Sequence, residues 1–160
     1  MIKRFFFSLA LGVSLSLSPG LSLAADELFN KAQMYETEQR WSEAFSAYSE
    51  ILKRDPTNAT AHYRLGAVSE KLGSTDSALR SYQEALRLNP GMGEARTALE
   101  GFYTNQGVAQ RRSNQLDEAV QSLQQALAYN ESSANAHFEL GQVFEQRGQM
   151  AEAVTAYQEA

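Results

Sequence analysis

The chain has 160 residues, 43% hydrophobic and 21% charged, with three prolines, ten glycines and no cysteine, which fits an ordinary globular domain and excludes a disulfide scaffold or a low-complexity tail. Fourteen Lys and Arg against nineteen Asp and Glu give a net charge of −5, and no basic block exists to neutralise a run of phosphates, so nucleic acid is not an expected partner. The lack of cysteine removes thiol catalysis, cysteine-ligated zinc and a lipidated cysteine at a mature N-terminus.

From the start of the chain, Lys3 and Arg4 precede an apolar run from Phe5 to Leu17, then Ser18, Pro19 and Gly20, then the small residues Ser22 and Ala24. This three-part pattern is expected to be a secretory signal cleaved after Ala24. The apolar run is shorter than the roughly 20 residues of a permanent bilayer-crossing helix, and Pro19-Gly20 is expected to break the helix before the cleavage point. An uncleaved anchor is the other reading, and the serines and proline of the stretch count against it. No Arg-Arg pair precedes the apolar core, which argues against a twin-arginine route. Removal of residues 1–24 leaves a chain of net charge −7, expected in a bacterial periplasm or outside the cell with no stable membrane insertion.

The remainder repeats with a period of 34 residues: copies span 25–58, 59–92, 100–133 and 134–160, with 93–99 inserted before the third. Offset 8 of each copy is small (Ala32, Gly66, Gly107, Gly141), offset 20 is alanine (Ala44, Ala78, Ala119, Ala153) and offset 24 is large (Tyr48, Tyr82, Leu123, Tyr157). A small residue lets two helices approach and a large one fills the space beside them, so this alternation specifies a helical hairpin. Apolar offsets 4, 7, 8 and 11 share one face of a first helix, and offsets 20, 24, 27 and 28 share a face of a second. Gly73, Asn114 and Gly148 at offset 15 favour the left-handed conformation that ends a helix. Ser42, Asp76 and Asp117 are expected to cap the next helix, and Pro56 and Pro90 to stop it.

On these residues the chain resembles tetratricopeptide-repeat proteins. The resemblance is carried by Leu65-Gly66, Gly73, Ala78, Tyr82, Ala85 and Pro90 in the second copy, by Asp117-Glu118-Ala119 in the third, and by Leu140-Gly141, Gly148, Ala153 and Tyr157 in the last. It implies an all-α fold, a right-handed superhelical solenoid of antiparallel helix pairs. Departures at Lys31, Ser69, Gln106, Gln110 and Glu131 mark the third copy as the loosest. The seven inserted residues continue the apolar stripe through Ala95, Ala98, Leu99, Phe102 and Tyr103. Seven residues rotate a helical face by only about 20°, so one long helix is expected from about Glu94 to Arg112, standing about 10 Å beyond its neighbours. The second helix of the last copy is short and lacks a polar capping helix after it, which points to a longer protein or to cover by another copy.

Chemistry is sparse. His62 and His137 both occupy offset 4, where the family packs an aromatic, and are read as packing residues rather than a metal or acid-base pair. No His-Glu-x-x-His, phosphate-cradling Gly-rich loop or Gly-x-Ser-x-Gly elbow is present. Asp26-Glu27 and Asp117-Glu118 read as helix-start residues complementing the dipole. Neither a cofactor nor a metal is expected.

What the resemblance implies instead is a groove lined by the first helices. The positions that line it carry Phe29, Gln33, Tyr63, Arg64, Lys71, Arg111, Arg112, Phe138 and Gln142. The three aromatics recur at offset 5 on a surface read as free of stacking duty, so they are candidate anchors. The four cations sit in the middle copies, where they could meet carboxylates on a partner, or merely be solvated charges with neighbours on the same helix. Chaperone-binding relatives hold a C-terminal carboxylate with Lys, Asn and Arg at positions that here carry Phe29, Gln33, Arg64, Gly101 and Asn105, so that clamp is absent. The expected function is a non-enzymatic exported scaffold that binds a partner-protein segment in its groove. The other readings are the first repeats of a larger secreted enzyme or outer-membrane assembly protein, and self-association through the last helix.

Overall fold

The structure, a computed structural model, describes residues 19–160, with side chains from Asp26 onward. Eight helices follow one another: α1 (Pro19–Thr37), α2 (Trp41–Arg54), α3 (Ala59–Lys71), α4 (Thr75–Leu88), α5 (Gly93–Arg112), α6 (Leu116–Tyr129), α7 (Ala134–Gln146) and α8 (Met150–Gln158). Each packs on its neighbours in sequence, and α5 also touches α7, so the pairs α1–α2, α3–α4, α5–α6 and α7–α8 stack in chain order as a helical solenoid. The apolar stretch from Phe5 to Leu17 lies outside the described residues. Pro19 opens α1, in the first turn, where a missing N–H costs no intrahelical hydrogen bond, and α1 runs on through the expected cleavage point.

The turn inside each pair has one recurrent solution. Gly73, Asn114 and Gly148 take φ of 71°, 61° and 74°, and Gln39, at the same offset of the first copy, takes 57°. A side chain with a Cβ adopts that conformation only at a cost, so the backbone is dictated by the turn and Gln39 endures it. Ser42, Asp76 and Asp117 do not cap the helices that follow. The capping positions are Arg40, Ser74 and Gln115, none of which makes a side-chain cap bond, and the expected residues fall two positions later in the first turn. Their contribution, for the two aspartates, is charge placed near the positive end of the dipole. True caps sit between copies: Asn58 Oδ1 accepts from Ala61 N at 2.9 Å, and Ser133 Oγ from Ala136 N at 3.2 Å.

Size alternation holds each pair together. Ala32, Ala44, Ala78 and Ala119 are fully buried, and Ala153 nearly so. A Cβ built on Gly66 would stand 2.6 Å from the Tyr82 ring, one on Gly107 2.6 Å from Leu123, and one on Gly141 2.5 Å from Tyr157. The large residue of the second helix therefore lies directly on the backbone of the first. Where Ala32 supplies that Cβ, the Tyr48 ring meets its neighbour Phe29 at 75°, against 40° and 48° for the matching ring pairs of the second and fourth copies.

The third copy has its own internal contacts. Leu123 and Thr104 are buried, and Ser122 Oγ donates to Gln110 Oε1 at 2.7 Å, so the polar Gln110 at an apolar offset has a partner on the paired helix. Its long first helix, α5, begins at Gly93 and ends at Arg112. Ala95 and Leu99 bury one face of the extension, while Arg96 and Thr97 on another face line an open cleft shared with Tyr129 to Ser132. His62 Nε2 lies 3.0 Å from the Pro56 carbonyl and His137 Nε2 2.8 Å from the Glu131 carbonyl, each imidazole tying its helix to the preceding loop. Glu131, which replaces the proline, thus supplies the same carbonyl that Pro56 does.

Candidate functional site

The first helices α1, α3, α5 and α7 form a wall whose residues interact across copies as well as within them. Each aromatic at offset 5 rests against the tyrosine at offset 24 of its own copy: Phe29 on Tyr48 with ring centres 5.6 Å apart, Tyr63 on Tyr82 at 5.7 Å, and Phe138 on Tyr157 at 5.7 Å. These contacts lie within single copies, so one part of each ring holds its own hairpin together. Phe29 and Tyr63 are half-buried, whereas Phe138 remains 46% exposed. In the third copy the same offset carries Thr104, which is buried, with its hydroxyl donating to Glu100 Oε1 at 3.2 Å.

Beneath these rings runs a feature that the sequence reading passed over. The tyrosine hydroxyl donates to a glutamate at offset 12: Tyr48 to Glu36, Tyr82 to Glu70 at 2.5 Å, and Tyr157 to Glu145 at 2.8 Å. Burial first, and then these carboxylates, push the Tyr48 and Tyr82 phenols well above their ordinary pKa. The signal was present as covariation inside the chain, because the one copy with leucine in place of the tyrosine, Leu123, also has Arg111 in place of the glutamate.

The same offset then reaches into the next copy. Arg64 Nη1 lies 3.5 Å from Glu36 Oε2, and Arg111 Nη2 lies 3.0 Å from Glu139 Oε2, so offset 12 of one copy pairs with offset 6 of the next, with the signs reversed between the two junctions. Two of the four groove cations are thus already neutralised by residues 28 positions away. These partners lie on a neighbouring first helix, not on the same helix. Lys71 and Arg112 are exposed and have no ion-pair partner among the described residues. Gln33 and Gln142 are half-buried on the wall, and Arg111 Nε and Gln142 Oε1 are buried without a hydrogen-bond partner.

The Arg111–Glu139 pair, with both side chains about 15% exposed (16% and 15%), lies between surface and interior. Arg111→Glu is expected to destabilise the fold by about 2 kcal/mol, between the about 0–1 of exposed pairs and the about 3–5 of buried ones. Adding Glu139→Arg should recover most of the loss, since the Glu36–Arg64 junction already carries that polarity. Urea unfolding of the single and double variants measures both, and a double variant no more stable than the single one would show that the two side chains do not act as a pair.

Among the described residues no three metal-ligating side chains converge, and no helix is long and apolar enough to cross a membrane. Stacked helix pairs with small-on-large contacts at a 34-residue period define a helical-repeat solenoid. The chain belongs to the tetratricopeptide-repeat family, whose model matches residues 29–93 and 104–160. Over 118 residues it is 27% identical to SPINDLY of Hordeum vulgare, described as a probable UDP-N-acetylglucosamine–peptide N-acetylglucosaminyltransferase, which covers 74% of this chain and 12% of that one. Hsp70-Hsp90 organizing protein 3 of Arabidopsis thaliana is 26% identical over 106 residues, or 66% of this chain and 18% of that one. The chain spans less than a fifth of the length of these relatives. A crystal structure of MamA protein superposes with a TM-score of 0.59 at 25% identity, over 86% of this chain and 72% of that one. The first repeat domain of Spaghetti (RPAP3), solved with an HSP90 peptide, is alike in fold, with a TM-score of 0.50 at 21% identity over 79% and 95% of the two chains.

Proposed function

We propose that this chain is a non-enzymatic scaffold, exported by its N-terminal signal, that holds a segment of a partner protein along the wall of first helices. The observation that carries the reading is the division of labour on that wall: the offset-5 rings pack on the tyrosines of their own copies, while Phe138 keeps nearly half its surface open and Lys71 and Arg112, on the first helices of the two preceding copies, are exposed with no ion-pair partner among the described residues. Rigid aromatic anchors with charges around them suit a binding surface. The relatives named for organising chaperones, and the neighbour solved with a chaperone peptide, support a peptide segment as the ligand class. Acidic groups on that segment would meet Lys71 and Arg112 rather than Arg64 and Arg111, which are committed to Glu36 and Glu139.

The test is selection of peptides from a displayed library on the full chain, followed by titration of the selected peptides against the double variant Phe138→Ser, Arg112→Glu. Both side chains are exposed, so helix content should be retained and binding should fall at least about tenfold. Undiminished binding would remove the wall as the site. Export is tested separately: the mature protein from the producing cell should begin at Ala25 by mass, and an intact Met1 would refute the cleavage.

A second reading is favoured by α8. Met150, Val154 and Tyr157 are 59%, 55% and 36% exposed on one stripe, whereas the corresponding Trp41 and Phe45 of the first copy pack into the core shared with α3. That stripe would be covered by a further repeat of a longer protein or by a second copy of this chain. Light scattering separates the two: twice the monomer mass favours self-association, and a concentration-independent monomer favours the longer protein.

A further inference from the structure

The junction between the second and third copies lacks the ion pair found at the other two. By the pairing rule, Glu70 at offset 12 should meet the residue at offset 6 of the next copy, which, with the seven-residue insertion, is Asn105. The two do line one cavity, of about 350 Å³, together with Thr75, Phe102 and Gln106. Glu36 uses both of its oxygens, accepting from Tyr48 at Oε1 and from Arg64 at Oε2. Glu70 uses only Oε2, for Tyr82, and Oε1 has no hydrogen-bond partner among the described residues. The exposed Glu70 carboxylate is thus held through one oxygen by a buried phenol, in a cavity that it shares with the Phe102 ring, and the residue at the position of Arg64 is the uncharged Asn105.

We propose that this notch receives an arginine side chain of the bound partner segment, which completes with Glu70 the ion pair that Arg64 makes with Glu36. The inference deepens the binding reading given above and rests on it. A guanidinium suits the notch better than an ammonium: its planar fork can donate to the free Oε1 while its face lies along Phe102, and it sheds water more readily. Asn105 and Gln106 add amide oxygens that can accept its remaining N–H groups. The proposal assigns to an otherwise acidic chain a preference that the exposed Lys71 and Arg112 would not produce, because those cations select carboxylates.

The probe is Nα-acetyl-arginine N-methylamide, titrated into the isotope-labelled full chain with the neutral citrulline derivative as control, reading backbone amide shifts. Saturable shifts at Glu70, Phe102 and Asn105 are expected with arginine, with binding about tenfold weaker for citrulline, as follows from losing one charge-assisted hydrogen bond. Glu70→Gln, which keeps an acceptor for Tyr82, should abolish the preference. Asn105→Arg should rebuild the internal pair, raising the melting temperature while closing the notch to the probe. Equal binding of the two derivatives, shifts absent from these three residues, or an Asn105→Arg variant that binds as the parent does would each overturn the proposal. Library peptides that bind through Phe138 but carry no basic residue at the notch would overturn it while leaving the scaffold reading intact.

Discussion

Tyr82→Ala is expected to lower the unfolding free energy by about 3–5 kcal/mol, the range for deleting a large buried aromatic side chain. The ring is 2% exposed, lies on the Gly66 backbone, and stands beside Tyr63, so its removal leaves a void between α3 and α4 that neither helix can close without moving the other. Tyr82→Phe separates the ring from its hydroxyl. It should cost about 1.5–3 kcal/mol, the range for a hydrogen bond to a charged group, because Glu70 loses the donor at 2.5 Å. The hydroxyl also fixes a pH dependence. Its folded-state pKa is raised by burial and by Glu70 above the ordinary 10.0, so its stabilising contribution is complete below 10 and declines as pH rises beyond it, when the unfolded phenol ionises and the folded one does not. Denaturant unfolding at neutral pH and in the alkaline range measures both effects, and an alanine variant as stable as the parent would show that the ring does not hold the pair together.

The features that could be read from the sequence are those in which one residue type answers one steric demand. A residue at offset 8 has to let another helix lie on its backbone, so only Ala or Gly appears there, and the whole hairpin register followed from that position and its partner at offset 24. The left-handed turn at Gly73 was legible for the same reason, but Gln39 was not, because the hydrogen-bonded turn that ends α1 holds it in a conformation its own side chain disfavours. Helix starts were misplaced by two residues because Ser42, Asp76 and Asp117 serve equally well as caps or as first-turn charges, and the difference lies in backbone geometry rather than residue type.

The site was harder to read because it depends on pairs. Arg64 and Arg111 resemble free cations in a list of charges; only when copies are laid side by side does each acquire a carboxylate, from α1 and from α7 respectively. The second junction departs from the pattern through a single residue identity: Asn105, not a cation, occupies offset 6 of the third copy and lines one cavity with Glu70, whose Oε1 has no hydrogen-bond partner among the described residues.

Enlarging Ala119 to Leu is expected to destabilise the fold by about 3 kcal/mol, the upper end of the overpacking range, and Ala78→Leu by about 1–3 kcal/mol. Both alanines are fully buried at offset 20, where the second helix crosses closest to the first. At Ala119 the constraint is explicit: a Cβ built on Gly107 would stand 3.2 Å from the Ala119 carbonyl oxygen and 2.6 Å from Leu123, so two backbones and one branched side chain already fill the crossing. Three added carbons have no void to enter, and α5 must separate from α6 or force Leu123 off its rotamer. Volume is therefore the quantity to vary. Leu123→Ala alone should cost about 2–5 kcal/mol by cavity formation, yet combined with Ala119→Leu it should cost less than the two losses added together, because the new side chain can occupy part of the vacated space. Thermal unfolding of the two single variants and the double variant gives the coupling directly. Additive losses would mean that the two positions do not share a cavity, and that the contact between small and large residues is not what sets the distance between paired helices.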